Sequence, residues 1–241
     1  MKRTFAAICA ALLMPASIAS AATITTEAFS ASDYGAAVGA GSYVSEDFET
    51  AGARQGEGEV GRGLTTDVGL FFSLGGTGSG GTVSNLPGNT GTELALRDGN
   101  VYGRTDQEGG TWFLDSNDTY GMGWLVETGS MFNSIMLIIT DASEFSYLRI
   151  TADGMSAEQR TGARFSNGTS SLLTITFDGL VSSAFVELAN YNSSGALVRN
   201  DGFSIDGAQV GIAPVPLPAT GLLLVAGLGG MAALRRRKRA A

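Results

Sequence analysis

Ser134-Ile135-Met136-Leu137-Ile138-Ile139-Thr140 decides the fold class. It is a continuous apolar run of strand length, as expected for a strand buried on both faces. Its neighbours downstream alternate instead. In Tyr147-Leu148-Arg149-Ile150-Thr151-Ala152, the side chains of Leu148, Ile150 and Ala152 share one face, because successive side chains on a strand point to opposite sides. Leu173, Ile175 and Phe177 repeat the pattern, and so do Ala184, Val186 and Leu188. Further strands are predicted over residues 43–49, 67–74, 93–97, 111–114, 123–127 and 203–210, separated by clusters of Gly, Asn, Asp and Ser that supply turn chemistry. Only residues 156–164 suit a short helix. About ten short strands in one body predict an all-β chain, an antiparallel β-sandwich of jelly-roll type.

The composition removes much chemistry. The chain has 241 residues, 35 of them glycine, with no histidine and a single cysteine, Cys9. Ser-His-Asp and Cys-His catalysis, disulfides and thiolate or imidazole metal sites are excluded. Gly76-Thr77-Gly78-Ser79-Gly80-Gly81 satisfies a dinucleotide-loop spacing, but no helix follows to receive a pyrophosphate, and Asn85-Leu86-Pro87-Gly88-Asn89 continues as loop.

Both ends read as targeting segments. Met1-Lys2-Arg3, an apolar stretch and Ala19-Ser20-Ala21 form a secretory signal peptide over residues 1–21. At the other end, residues 214–241 open on a proline-broken stretch, Pro214-Val215-Pro216-Leu217-Pro218. The uncharged segment 220–234 follows, and then Arg235-Arg236-Arg237-Lys238-Arg239. Residues 215–234 as helix would span ~30 Å, the thickness of a bilayer core. The basic cluster belongs on the cytoplasmic side, with the body outside. Residues 22–213 form that body, and it holds all 23 acidic residues against eight arginines and no lysine, a net charge of −15. A surface so acidic repels nucleic acid.

Val215-Pro216-Leu217-Pro218-Ala219, the apolar segment and the arginine-rich end together resemble the VPLPA variant of PEP-CTERM sorting signals. The resemblance covers the tail alone. It implies a Gram-negative bacterium, transient anchoring in the inner membrane and recognition by an exosortase-type transpeptidase. It further implies a cell-surface or extracellular destination, often beside exopolysaccharide. Because Pro216-Leu217-Pro218 replaces the Pro-Glu-Pro of the core family, it implies a variant-specific exosortase.

Two groups in the body are candidates for binding. Trp112, Tyr120 and Trp124 flank the polar run Asp115-Ser116-Asn117-Asp118-Thr119. Aromatic faces beside carboxylates and amides suit a sugar surface, while the alternative places both tryptophans in the core around a turn. Asp47 and Glu49 near the start of the body, and Asp206 near its end, are hard oxygen ligands suited to one structural calcium. Phe48-Glu49 and Phe203-x-Ile205-Asp206 are similar to galactose-binding-type jelly rolls, a likeness that implies paired first and last strands with calcium between them. The function expected from all this is non-enzymatic adhesion or extracellular polysaccharide binding. Its rival is a glycan-active hydrolase or lyase using paired carboxylates.

Overall fold

The computed structural model describes residues 22–78, 86, 88–101, 103–141, 147–160, 168–199 and 202–212. The signal-peptide segment and the whole tail, with Val215 to Ala219 and Arg235 to Arg239, lie outside the described residues.

Among the described residues, sixteen strands and two helices follow one another in the order β1 (Ala22–Ala28), α1 (Ala31–Gly39), β2 (Tyr43–Glu46), α2 (Glu49–Gln55), β3 (Gly58–Glu59), β4 (Leu64–Thr66) and β5 (Gly69–Ser73). Next come β6 (Ala95–Asp98), β7 (Asn100–Val101), β8 (Arg104–Thr105), β9 (Trp112–Asp115), β10 (Gly121–Val126) and β11 (Phe132–Thr140). The chain continues through β12 (Tyr147–Ala152), β13 (Met155–Arg160), β14 (Ser170–Val181), β15 (Ala184–Ala189) and β16 (Ser204–Ile212).

Two antiparallel sheets make a β-sandwich. The first has the order β1-β14-β11-β16-β9-β6-β3, with β2 also paired to β16. The second runs β13-β12-β15-β10-β5-β4, and β7 and β8 form a separate small hairpin. Between the sheets lies one apolar core. Ile135, Leu137, Ile139, Leu173 and Ile175 enter it from the first sheet; Phe71, Trp124, Leu148, Ile150 and Val186 enter from the second. Strand β11 fulfils the reading of its sequence as buried on both faces. Its other side, Met136 and Ile138, packs with Leu172 under Tyr34 of α1.

Three local expectations are corrected. Residues 155–160 form strand β13, antiparallel to β12, not a helix. The turn between them, Asp153-Gly154, has φ of 46° and 81°, the backbone that a two-residue hairpin with matching twist requires. The strand expected over residues 43–49 stops at Glu46, and Phe48, at φ 60°, drops its ring into the core before α2 begins. The first strand of the body, β1, pairs with β14 and not with the last strand. It is β2 that pairs with β16, bringing Glu46 opposite Ala208.

Candidate functional site

The outer face of the second sheet is the surface that no helix covers among the described residues. Alternation decides what stands on it. Leu148, Ile150, Val186, Leu188, Met122 and Trp124 face the core, so the residues between them face outward. Strand register lines these up across five strands: Phe72 opposite Gly123, Gly123 opposite Glu187, Glu187 opposite Arg149 and Arg149 opposite Glu158. At ~4.8 Å per strand the row is ~19 Å long.

Gly123 is the low point of the row. A Cβ there would sit 2.8 Å from Cζ of Phe72 and 3.0 Å from Cε2 of Phe185. Its absence lets these two rings meet over the strand, parallel within 7° at a centroid separation of 6.0 Å. Both are half-buried, so ring surface remains open to water.

The row's polar half forms a cleft of about 400 Å³, lined by Tyr147, Arg149, Tyr191, Asn192, Ser193 and Gly195, among others. Two of its lining residues, Arg149 and Tyr191, bond to the buried Glu187 carboxylate. Arg149 donates from Nη2 to one oxygen at 2.5 Å, and the Tyr191 hydroxyl donates to the other. Tyr191 and Tyr147 meet edge to face at 5.0 Å. Partial burial, followed by the bond to Glu187, pushes the Tyr191 phenol up to about 12. The bond to Glu187 also raises the Arg149 guanidinium. Near neutral pH the cleft therefore presents a neutral phenol and a balanced ion pair.

The aromatic residues singled out in the sequence lie elsewhere. Trp124 is buried in the core, stacked on Phe71 at 4.9 Å, and its indole N–H donates to the Val68 carbonyl. Trp112 is half-buried against the core and lies flush on the backbone of α2 at Gly52. Tyr120 covers Gly76. The three do not make one surface. The polar run between them is buried as well, with Asp115, Ser116 and Asn117 each 1% exposed.

That burial has a specific cause. The segment from residue 103 to 111 crosses over β16 and β9 of the first sheet and carries Arg104 inward. The guanidinium is 2% exposed and meets Asp115 at 3.1 Å, Asp118 at 3.1 Å and Asp141 at 3.7 Å. Asn117 joins the neighbouring loop by donating to Glu59, to Asn89 and to the Glu93 carbonyl.

Two of the three carboxylates expected to hold calcium, Asp206 and Glu49, secure the same crossing segment. Asp206 accepts N–H groups of Gln107 at 2.9 Å, Glu108 at 3.0 Å and Gly207 at 2.7 Å. Glu49 accepts those of Thr111 and Trp112, both at 2.7 Å, and Asp47 accepts that of Glu49 at 3.1 Å. Asp206 is 1% exposed, and burial pushes it up to about 7; nearby Asp106 adds to the rise and the three amides oppose it. Burial also raises Glu108 and Glu46, with Asp47 contributing to both. Asp206 and Glu49 thus both bond to the stretch from Gln107 to Trp112, at different points along it. Their oxygens face backbone donors.

Sequence reasoning passed over the cleft because its parts are scattered. Arg149 comes from one place in the chain, Glu187 and Tyr191 from another nearly forty residues on, and only sheet register collects them. The available signal was an outward Arg on β12 and an outward Glu on β15, each between core-facing leucine, isoleucine or valine. No protein-family model, no curated protein and no solved structure matches this chain.

Proposed function

We propose that this chain is an exported, surface-directed β-sandwich, sorted through its VPLPA-type tail by an exosortase-type transpeptidase, that binds a neutral extracellular polysaccharide without acting on it. The observation that carries the reading is the uncovered outer row of the second sheet. Apolar ring faces at Phe72 and Phe185 suit the C–H faces of sugar rings. The hydroxyls, amide and ion pair of Tyr147, Tyr191, Asn192, Arg149 and Glu187 suit their hydroxyl groups. Neutrality follows from charge: the body carries −15, and the guanidinium in the cleft is already balanced by Glu187. An anionic polymer would meet repulsion without a compensating cation.

A jelly-roll winding is the finer reading of the sandwich. Its support is a pairing series in which β12 joins β13, β11 joins β14, β10 joins β15 and β9 joins β16. That is one long hairpin rolled across two sheets, a double Greek key. The rival, a carboxylate-dependent glycan hydrolase, would need a raised acid beside an open cleft. Asp206 has the raised acid, but it is buried beneath the crossing segment with its oxygens on amides, which favours a structural task.

Affinity electrophoresis of the full chain through gels containing neutral or uronate-bearing polysaccharide is the test. Retardation by a neutral polymer is expected, little changed by salt and lost in Tyr191→Ala and Phe72→Ala. Equal mobility in every polymer, or shortening of the polymer, would sink the reading.

A further inference from the structure

The sandwich has two unlike ends. Phe132 opens β11 and pairs with both Val181 and Ile212, and Ala22 pairs with Phe177. The first and last described residues therefore lie at one end. Strand β10 reaches this end at Val126, six residues before Phe132, so Gly121, Ala189 and Tyr147, which are in register, lie at the other. The glycan cleft is at that far end. Nine residues of β11 separate the two, a distance of ~25–30 Å.

The near end also carries the two exposed large hydrophobic side chains among the described residues, Met131 at 44% and Leu180 at 42%. They flank the Phe132–Val181 pair, where β14 bulges between its pairings with Phe132 and Ser134. Two residues after Ile212 the proline motif starts, and the apolar stretch follows at once. Scattered exposed hydrophobics need no explanation. Here both sit at the end that holds Ile212, two residues before the proline motif in the sequence.

We infer that this end of the sandwich rests on the lipid bilayer while the tail is anchored, with Met131 and Leu180 dipping into the interface and the Tyr147–Tyr191 cleft held outward. The inference rests on the tail reading within the proposed function. The lipid surface it fits is zwitterionic, because Glu127, Asp153 and Asp178 lie toward the same end and would be repelled by anionic headgroups. Two side chains make a weak contact alone, so it would last only as long as the tether, and loss of the tail would free the body.

The chain's single cysteine makes the test direct. Full chain made by an exporting bacterium, with Cys9→Ser and one of Met131→Cys, Leu180→Cys or Ser193→Cys, is labelled with a polarity-sensitive fluorophore. It is then reconstituted in phosphatidylcholine vesicles with and without brominated lipid. Labels at 131 and 180 are expected to shift to the blue and to be quenched several-fold more than the label at 193. If the chain stays in the vesicles through an alkaline wash and all three labels behave alike, the inference falls while the tail reading stands. If the wash strips the chain from the vesicles, the tail reading falls and the inference with it.

Discussion

Arg149 and Glu187 stand opposite each other on neighbouring strands and close an ion pair of 2.5 Å in which the carboxylate is buried and the guanidinium is partly open to water. The two sides of such a pair are unequal. Arg149→Ala leaves a buried carboxylate with only the Tyr191 hydroxyl, which costs about 1–3 kcal/mol. Screening at the open guanidinium places the expected loss toward the lower figure. Urea midpoints of the wild type, Arg149→Ala and Arg149→Lys measure it, with the lysine variant between the other two. An alanine variant as stable as the wild type would show that water replaces the guanidinium fully.

Asp206 gives a pH dependence whose sign can be worked out. Burial raises its native value to about 7, against the ordinary 3.8 of an aspartate. Between those values the native state holds a proton that the unfolded chain has released, so stability falls as pH rises through the window and levels off above about 7. Burial raises Glu46 and Glu108, which act in the same direction. Glu59 acts oppositely: burial raises it, but N–H groups of Thr90, Glu93 and Thr92 and the Thr90 hydroxyl together lower it. Its contribution is lost as pH falls through its native value. The difference in unfolding free energy between wild type and Asp206→Asn, followed from pH 4 to 8, is expected to slope by a few kcal/mol in total. A flat difference would mean that the three amides hold Asp206 ionised throughout.

The same hydrogen bonds bear on calcium. A cation at Asp206, Glu49 and Asp47 would have to displace N–H groups of Gln107, Glu108, Thr111, Trp112 and Glu49. Replacing calcium with chelator is therefore expected to move the melting temperature of the full chain less than Asp206→Ala does in chelator alone. A larger calcium shift, abolished in Asp206→Ala and not reproduced by magnesium, would restore the metal.

The strands were legible in the sequence because alternation is local. Leu148, Ile150 and Ala152 name their own face, and the core contains all three. What was missed was also signalled. Ala22-Thr23-Ile24-Thr25-Thr26 alternates with β-branched residues and forms β1, and Ser30-Ala31-Ser32-Asp33 has capping spacing, with the Ser30 hydroxyl accepting the Asp33 N–H at 3.4 Å. The site was not legible for a different reason. Trp124 stands between Gly123 and Leu125, so alternation alone does not say which face is core there, and the opposite sheet decides it. Both placements of the tryptophans, surface and core, are therefore open in the sequence, and Arg149 meets Glu187 only through sheet register.

Gly123 separates stability from binding. Gly123→Ala adds a methyl group against the ends of the Phe72 and Phe185 rings, side-chain atoms that can swing aside. Overpacking of this kind costs about 1–3 kcal/mol, and an open face lets the rings relax, so the lower figure is expected. The ring pair would nonetheless be parted. Affinity for the neutral polymer should fall far more than the urea midpoint does. Retained affinity in a well-folded Gly123→Ala would remove the Phe72–Phe185 platform from the binding surface and leave the Tyr147–Tyr191 cleft to act alone.

Arg104 is the strongest single test of the crossing segment. One guanidinium, 2% exposed, stands among Asp115, Asp118 and Asp141, all nearly buried. Gly202 makes room for it, since a Cβ there would lie 2.4 Å from Oδ1 of Asp118 and 2.6 Å from Nη1 of Arg104. Arg104→Met keeps most of the volume but leaves Asp115, Asp118 and Asp141 buried without their shared cation, and removing one partner of a buried ion pair costs about 3–5 kcal/mol. Total stability of a domain is about 5–15 kcal/mol, so the variant should be marginal at neutral pH. Adding Asp118→Asn removes one of the stranded charges and is expected to recover part of the loss. Adding Asp178→Asn, a charge outside the cluster, should recover nothing. Unfolding midpoints of the three variants decide the matter. Equal recovery from both second substitutions would show that the relief comes from lowering the net charge of the body, and that Arg104 holds its segment by packing alone.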